Sequence, residues 1–241
     1  MPQPFQTWQV LPHSQLSAVD DNLLTVVGDL SMPIGDFPRR MTAARLGDGR
    51  LVIFSAIALE EHEMRALEKF GLPTFLIVPS ELHRMDAKIW KERYPRLLVL
   101  APEGAHKKVS EVVRVDATAF DFRDNTVRFV TVPGTDAHEA ALVVESAGGT
   151  TLVLNDLIWN IDNRPGFGGW LMKISGMTGE RPHLPPSLVA HRSIRDKPAL
   201  RQQLETWAEL PSLKRIIVSH GAIIDRNPSG VLRDLANQLN N

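Results

Sequence analysis

Between residues 51 and 100 the chain reads LVIFS (Leu51–Ser55), LEEHEMRALEKFG (Leu59–Gly71), TFLIV (Thr74–Val78), DAKIWKER (Asp86–Arg93) and LLVL (Leu97–Leu100). The three apolar runs are short and nearly unbroken, as in strands buried on both faces. Between the first two, Leu59, Met64, Leu67 and Phe70 roughly follow helical spacing, and Gly71 is a natural C-terminal stop. Asp86–Arg93 reads as a second helix, ended ahead of Pro95. A strand–helix–strand–helix–strand rhythm implies parallel pairing through right-handed crossovers, and so an α/β fold.

Working outward, Leu23–Val27 and Met41–Leu46 read as strands, with Gly47-Asp48-Gly49 as the hairpin turn into Leu51. Met32–Arg39 holds two prolines and a glycine and reads as an irregular loop. Beyond residue 100, Val112–Val115, Thr118–Phe122 and Val127–Val132 read as short strands, with Asp124-Asn125 as a turn between the last two. Ala140–Glu145 and Thr151–Leu154 flank a second hairpin signal at Gly148-Gly149. Ile161–Pro186 is rich in Gly, Pro and aromatic residues, too long for a plain connection, and reads as a functional loop, a lid or a partly helical segment. Pro198–Leu210 is a helix, Leu213–Ser219 a last buried strand and Val231–Leu239 a closing helix. No repeat and no change of composition divides the chain. The expectation is one domain over residues 1–241, with two sheets face to face and helices outside.

Composition narrows the chemistry. The chain has 241 residues with 27 basic and 28 acidic side chains, a formal net charge of −1, and no cysteine. Without a basic excess, nucleic acid is not an expected partner. Without cysteine, any metal must be held by His, Asp or Glu, and disulfides and thiolate nucleophiles are excluded. No apolar run reaches the roughly 18 residues that a membrane span needs, and the start, Met-Pro-Gln-Pro-Phe-Gln, lacks a signal pattern. A cytoplasmic protein that does not engage membrane is therefore expected. Neither a Gly-x-Ser-x-Gly elbow nor a Walker loop is present.

Four segments in order carry a resemblance: TFLIVPSELHRMDAKIW (Thr74–Trp90), VPGTDAHEAALVV (Val132–Val144), GGTTLVLNDLIWN (Gly148–Asn160) and RIIVSHGAII (Arg215–Ile224). Together they resemble the metallo-β-lactamase-like hydrolases. In that family a buried strand runs into a loop of two His, an Asp and a further His. A Pro-Gly-His turn, a Gly-Gly hairpin leading to a bridging Asp, and a strand ending in His-Gly follow. The resemblance implies a four-layer αββα sandwich, with zinc, or else iron or manganese, at strand ends. A metal-held water would then attack a small-molecule ester, thioester, amide or phosphoester.

Asp156 and His220 fall at the family's bridging carboxylate and last histidine. The other motifs depart from the pattern. Ser80 and Leu82 stand where the first two histidines are expected, Arg84 where the Asp is expected, and Thr135 where the Pro-Gly-His histidine is expected. Two readings follow. In one, a remodelled loop brings His83, His138, Asp156 and His220 together as metal ligands, with Asp86 as a further ligand or proton acceptor beside Asp156 in catalysis. In the other, the metal site has decayed, Leu82 and Met85 pack, Arg84 pairs with Asp156, and the protein binds a small ligand or a protein partner. Each residue also has an ordinary structural alternative: a turn histidine at His220, a cap at Asp156, a first-turn helix carboxylate at Asp86, loop residues at His83 and His138. The segment Trp159–Trp170 reads either as a substrate-facing lid with Trp170 as an apolar wall or as a contact surface, including that of a homodimer.

Overall fold

A computed structural model describes residues 3–32, 35–186 and 194–239. It contains two mixed sheets. The first is built in sequence order from β1 (Ser17–Asp20), β2 (Leu23–Met32), β3 (Gly35–Arg45), β4 (Arg50–Phe54), β5 (Leu72–Ile77) and β6 (Leu98–Leu100). β1 to β4 pair antiparallel, whereas β4, β5 and β6 are parallel, as the crossover rhythm predicts. The second sheet is ordered β10 (Leu213–Val218), β9 (Gly149–Leu154), β8 (Ala140–Ser146), β7 (Val127–Thr131), with only the β10–β9 pair parallel.

Strand alternation builds three apolar layers. Val52, Phe54, Phe75 and Ile77 turn inward and meet Leu142, Val144, Val153 and Ile217 of the second sheet. The intervening residues Leu51, Ile53 and Leu76 face outward beneath helices α1 (Glu61–Phe70), α2 (Ala87–Arg93) and α3 (Glu103–Ser110), where Met64, Leu67, Trp90, Ala105 and Val109 are buried. On the far side, Val143, Leu152, Leu154, Ile216 and Val218 lie under α5 (Lys197–Ala208) and α6 (Pro228–Gln238). A shorter helix, α4 (Gly166–Ile174), lies in the long segment after β9. Strands apolar on both faces are thus a requirement of the sandwich: each sheet is covered twice.

Three expectations need correction. Val112–Val115 and Thr118–Phe122 form no strands. Their aromatic side chains pack without a ladder: Phe120 (half-buried, tilted) and Phe122 (buried, edge-on) each meet Phe75 at 5.0 Å between ring centroids. Met32–Arg39 is the distal part of the β2–β3 hairpin, in register from Leu23↔Ala44 to Met32↔Gly35. Pro38 is tolerated there because β3 meets β4 only at Thr42–Arg45, so its missing N–H faces no second neighbour. Helix α3 was unforeseen because its first turn carries Gly104, a poor helix former. Among the described residues no helix is long and apolar enough to cross a membrane.

Asp20 ties the two sheets at one edge. Its carboxylate accepts from the Arg215 guanidinium on β10 at 2.8 Å and from the Gly148 N–H in the β8–β9 turn at 3.1 Å. Burial alone would raise this carboxyl. The Arg215 bond and the N–H groups of Asp21 and Gly148 outweigh it and hold the group below its ordinary value of 3.8. A lowered folded value stabilises the fold above the unfolded value, and that share is lost as pH falls through the folded one. Asp20→Asn is expected to cost about 1 kcal/mol at pH 7, read by urea unfolding. The gap between the two proteins should close as pH is taken below about 4; a gap independent of pH would remove the clamp.

Candidate metal centre

The site forms where β4, β5, β9 and β10 end on the same rim of the sandwich. Ser55 follows β4, Ser80 and His83 follow β5, Asn155 and Asp156 follow β9, and Ser219 and His220 follow β10. Parallel pairs β4–β5 and β9–β10 necessarily bring their C-terminal ends together, so residues distant in sequence share one rim.

Asp156 lies between the two imidazoles. Its Oδ1 is 2.8 Å from His220 Nε2 and 3.4 Å from His83 Nε2. Burial alone would raise the carboxyl, but the His83 and His220 neighbours reverse that and hold it far below the usual carboxylate range. The two imidazoles thus favour the ionised form of Asp156.

The other ring nitrogens face outward. His220 Nδ1 donates to the Pro38 carbonyl at 2.7 Å, because a carbonyl can only accept. His83 Nδ1 lies 2.8 Å from Ser55 Oγ. Ser55 holds this post in a left-handed conformation, φ 57°, that a non-glycine residue rarely adopts. With Nδ1–H of His220 committed, its Nε2 either carries the proton of an imidazolium or presents a lone pair beside an anion.

That arrangement fits a cation. The three donor atoms all lie within 4.8 Å of one another, and they are the one such group among the described residues. Two donors about 2.1 Å from a tetrahedral ion stand roughly 3.4 Å apart; the two Asp156 pairs lie at 2.8 and 3.4 Å, and the two histidine nitrogens lie within 4.8 Å of each other. Metal-binding histidines commonly donate their remote N–H to an outer acceptor, which fixes tautomer and orientation; Pro38 and Ser55 occupy those places. Two histidines and one carboxylate leave coordination positions open, as catalytic zinc and non-haem iron sites do.

No family model matches the sequence, and no curated protein matches it. Solved structures do. The metallo-β-lactamase FIM-1 from Pseudomonas aeruginosa, in its mono-zinc form, is 12% identical, with 95% of this chain and 96% of that one covered at a TM-score of 0.61. TMB-1 is 12% identical over 96% of this chain and 100% of its own, TM-score 0.63. A metallo-β-lactamase from Erythrobacter litoralis is 13% identical over 92% and 96%, TM-score 0.59. This chain has the metallo-β-lactamase fold. Within that fold three side chains, His83, Asp156 and His220, could together hold a metal ion.

The remaining expected residues are placed elsewhere. His138 is half-buried and packs over the first turn of α3, where a Cβ added at Gly104 would lie 2.7 Å from its ring. It stands outside the cluster. Thr135 is fully buried and closes its own turn, donating to the Val132 carbonyl at 2.7 Å. Asp86 reaches the rim, but both oxygens are engaged: Oδ1 by the Ala58 N–H at 2.9 Å and Oδ2 by Arg39. Burial pushes its carboxyl up against the opposing effect of Arg39 and Ala58. The pairing of Arg84 with Asp156 does not occur. Arg84 turns toward α3 and bonds the Lys108 carbonyl and Glu111. His62 and His106 are exposed and His13 is half-buried. His183 bridges to Trp159 through backbone alone, and His191 lies outside the described residues.

Several supporting residues carried no sequence signal. Asn155 donates to Ser80 Oγ and to Glu139, and accepts from Ser219 Oγ at 2.9 Å, so one buried amide ties three loop ends together. Arg40 on β3 donates to the Val218 carbonyl at 3.0 Å and to the Gly221 carbonyl at 2.7 Å, bracketing His220. Burial lowers Arg40 to about 10, which still leaves it charged at neutral pH. Such residues show no motif, because their roles depend on distant partners, 64 and 75 positions away for Asn155 with Ser219 and Ser80 and 178 and 181 for Arg40.

The rim also opens into a cavity of about 240 Å³ bordered by the three cluster residues. Phe37 and Trp159 flank His220 at 4.6 and 5.2 Å between ring centroids. Trp159 is thus a wall of the cavity, as the lid reading of Trp159–Trp170 expects at its start. Trp170 is not: it is 53% exposed on α4 and stacks on Phe167.

Gly221 makes the His220 turn possible. Its φ is +108°, and a Cβ there would lie 1.9 Å from the Asn160 carbonyl oxygen. Gly221→Ala combines a left-handed penalty of roughly 1–2 kcal/mol with overpacking of roughly 1–3. A loss of about 3 kcal/mol in chemical unfolding is expected, and a change below ~0.5 kcal/mol would contradict the geometry.

Proposed function

We propose that this protein uses the metallo-β-lactamase fold to bind a small molecule in the cavity beside a reduced centre formed by His83, Asp156 and His220, a centre able to hold one divalent ion. The observation that supports this best is the union of a buried, ionised carboxylate between two outward-anchored imidazoles with an adjoining cavity walled by Phe37 and Trp159. A second ion is disfavoured by chemistry: Ser80, Leu82, Arg84 and Thr135 stand at the positions of the resemblance's other ligands, and none of those side chains is a suitable donor. On this reading the chain is a ligand-binding member of the fold, whose natural ligand is a small molecule.

A second reading, hydrolysis by a single-ion centre, is favoured by the Nδ1–H of His220 committed to Pro38 and the Ser55 hydroxyl at Nδ1 of His83. They leave both Nε2 atoms directed at Asp156, the arrangement a metal site needs. A bound zinc, iron or manganese ion would supply a water acidified toward neutrality and polarise a carbonyl or phosphoryl oxygen. The chain's own contributions are then definite. His83, His220 and Asp156 hold the position, and Phe37 and Trp159 exclude bulk water. Asp86 fixes the wall through Ala58 and Arg39, in place of the proton-accepting role expected from sequence.

Elemental analysis of protein purified without a chelator or polyhistidine tag tests both. Saturation at about one equivalent of zinc, iron or manganese, falling toward zero in His220→Ala, is expected. Two equivalents would overturn the single-ion centre. Turnover of aryl esters or phosphoesters that disappears in a folded His220→Ala protein would move the assignment to the hydrolase. Metal uptake without turnover would keep the binding reading.

A further inference from the structure

Resting on the reading of His83, Asp156 and His220 as a single-ion centre, we propose that Ser55 is the positioning residue for His83 and that its hydroxyl reverses direction with occupancy. It donates to His83 Nδ1 in the metal-free protein and accepts from Nδ1–H when an ion sits at Nε2. Occupancy is then recorded as a change of tautomer at one histidine of the pair and not at the other.

The two histidines are anchored by different chemistry. His220 Nδ1 meets the Pro38 carbonyl at 2.7 Å. A carbonyl has no hydrogen to give, so His220 carries its hydrogen on Nδ1 whether or not the centre is occupied. His83 Nδ1 meets the Ser55 hydroxyl at 2.8 Å. A hydroxyl has one hydrogen and two lone pairs, and its rotor turns to suit either tautomer of the ring.

The far side of the His83 ring decides which tautomer each state needs. Nε2 stands 3.4 Å from Oδ1 of Asp156. Without an ion, a lone pair on Nε2 would face the carboxylate, so the hydrogen belongs on Nε2 and points at Asp156. In the neutral ring Nδ1 then has only a lone pair, and the Ser55 O–H donates to it. With an ion bound, Nε2 must offer its lone pair as a ligand, and the ring hydrogen resides on Nδ1. Ser55 then accepts, and its own hydrogen turns toward the cavity that Ser55 borders.

Ser55 is held where this exchange can occur. It is 5% exposed, and its N–H donates to the Ile77 carbonyl at 3.0 Å, tying the end of β4 to the end of β5 ahead of the His83 loop. Its φ of 57° is one that glycine adopts at no steric cost. Ser55→Gly therefore removes the hydroxyl and keeps the backbone path.

The test reads the tautomers directly. Long-range proton–nitrogen NMR spectra of the histidine rings are recorded on the ¹⁵N-labelled full chain after chelation and again with zinc, the His83 signals being assigned by their loss in His83→Gln. His83 is expected to carry hydrogen on Nε2 after chelation and on Nδ1 with zinc, while His220 keeps Nδ1–H throughout. In Ser55→Gly, zinc measured by competition with a chromogenic chelator should bind about tenfold more weakly or worse, with a melting temperature within about 4 °C of the parent's. Ser55→Asp, whose carboxylate only accepts, should hold Nδ1–H in the chelated protein as well and return zinc affinity to the parent's level or above. A His83 ring already carrying hydrogen on Nδ1 after chelation, alone or on both nitrogens, overturns the reversal and leaves the centre in place. Equal zinc affinity in Ser55→Gly and the parent overturns Ser55 as the positioning residue. A parent that takes up no zinc overturns the single-ion centre and the reversal with it.

Discussion

The bond between Asp156 and His220 is the constraint on which the rim of this molecule depends. A buried carboxylate is costly unless charge or hydrogen bonds compensate it, and here the compensation comes from two imidazoles that follow different strands, β5 and β10. His220 can face Asp156 only because the Pro38 carbonyl takes its other nitrogen. Pro38 can offer that carbonyl only because β3 runs past β4 into the long hairpin with β2. One electrostatic demand at the end of β9 therefore reaches into the first sheet. Arg40, two residues along the same strand, adds its bonds to the Val218 and Gly221 carbonyls. The two sheets are joined at this rim by polar contacts, and in the interior by the apolar layer around Phe54, Phe75 and Ile217.

Much of this fold was legible in sequence because its signals are local. The unbroken apolar runs at Leu51, Thr74 and Leu213 require burial on both faces, and a sandwich of two covered sheets meets that requirement. Where the reading failed, a distant partner overrode the local signal. Thr118–Phe122 alternates like a strand, yet its aromatic residues bury against Phe75 with no neighbouring ladder to join. Met32–Arg39 has the composition of a loop, yet its backbone pairs with β2, because an edge position forgives Pro38.

The site was legible in part for the same reason. Asp156 and His220 could be found because each directly follows a buried strand, and a strand end is a fixed place. His83 was reachable only as a ligand type close to such an end, since its register is set by a loop. His138 had equal chemical merit but sits beyond a turn held by Thr135, on the side facing α3. Asp86 and Arg84 show that charge alone does not place a residue: Arg39 captured Asp86, and Glu111 captured Arg84. Neither partner is near in sequence, so neither pairing could be anticipated.

The replacements at the rim are coordinated. Leu82 turns a ligand position into cavity wall, and Ser80 turns another into a hydrogen-bonding partner of Asn155 and Asp156. Arg84, which could have neutralised Asp156 in place of a cation, instead points away to α3. Ser55, left-handed at φ 57°, sets its hydroxyl 2.8 Å from the His83 ring. On the proposed reading, Leu82 and the other apolar wall residues fill the space where the resemblance would place further donors.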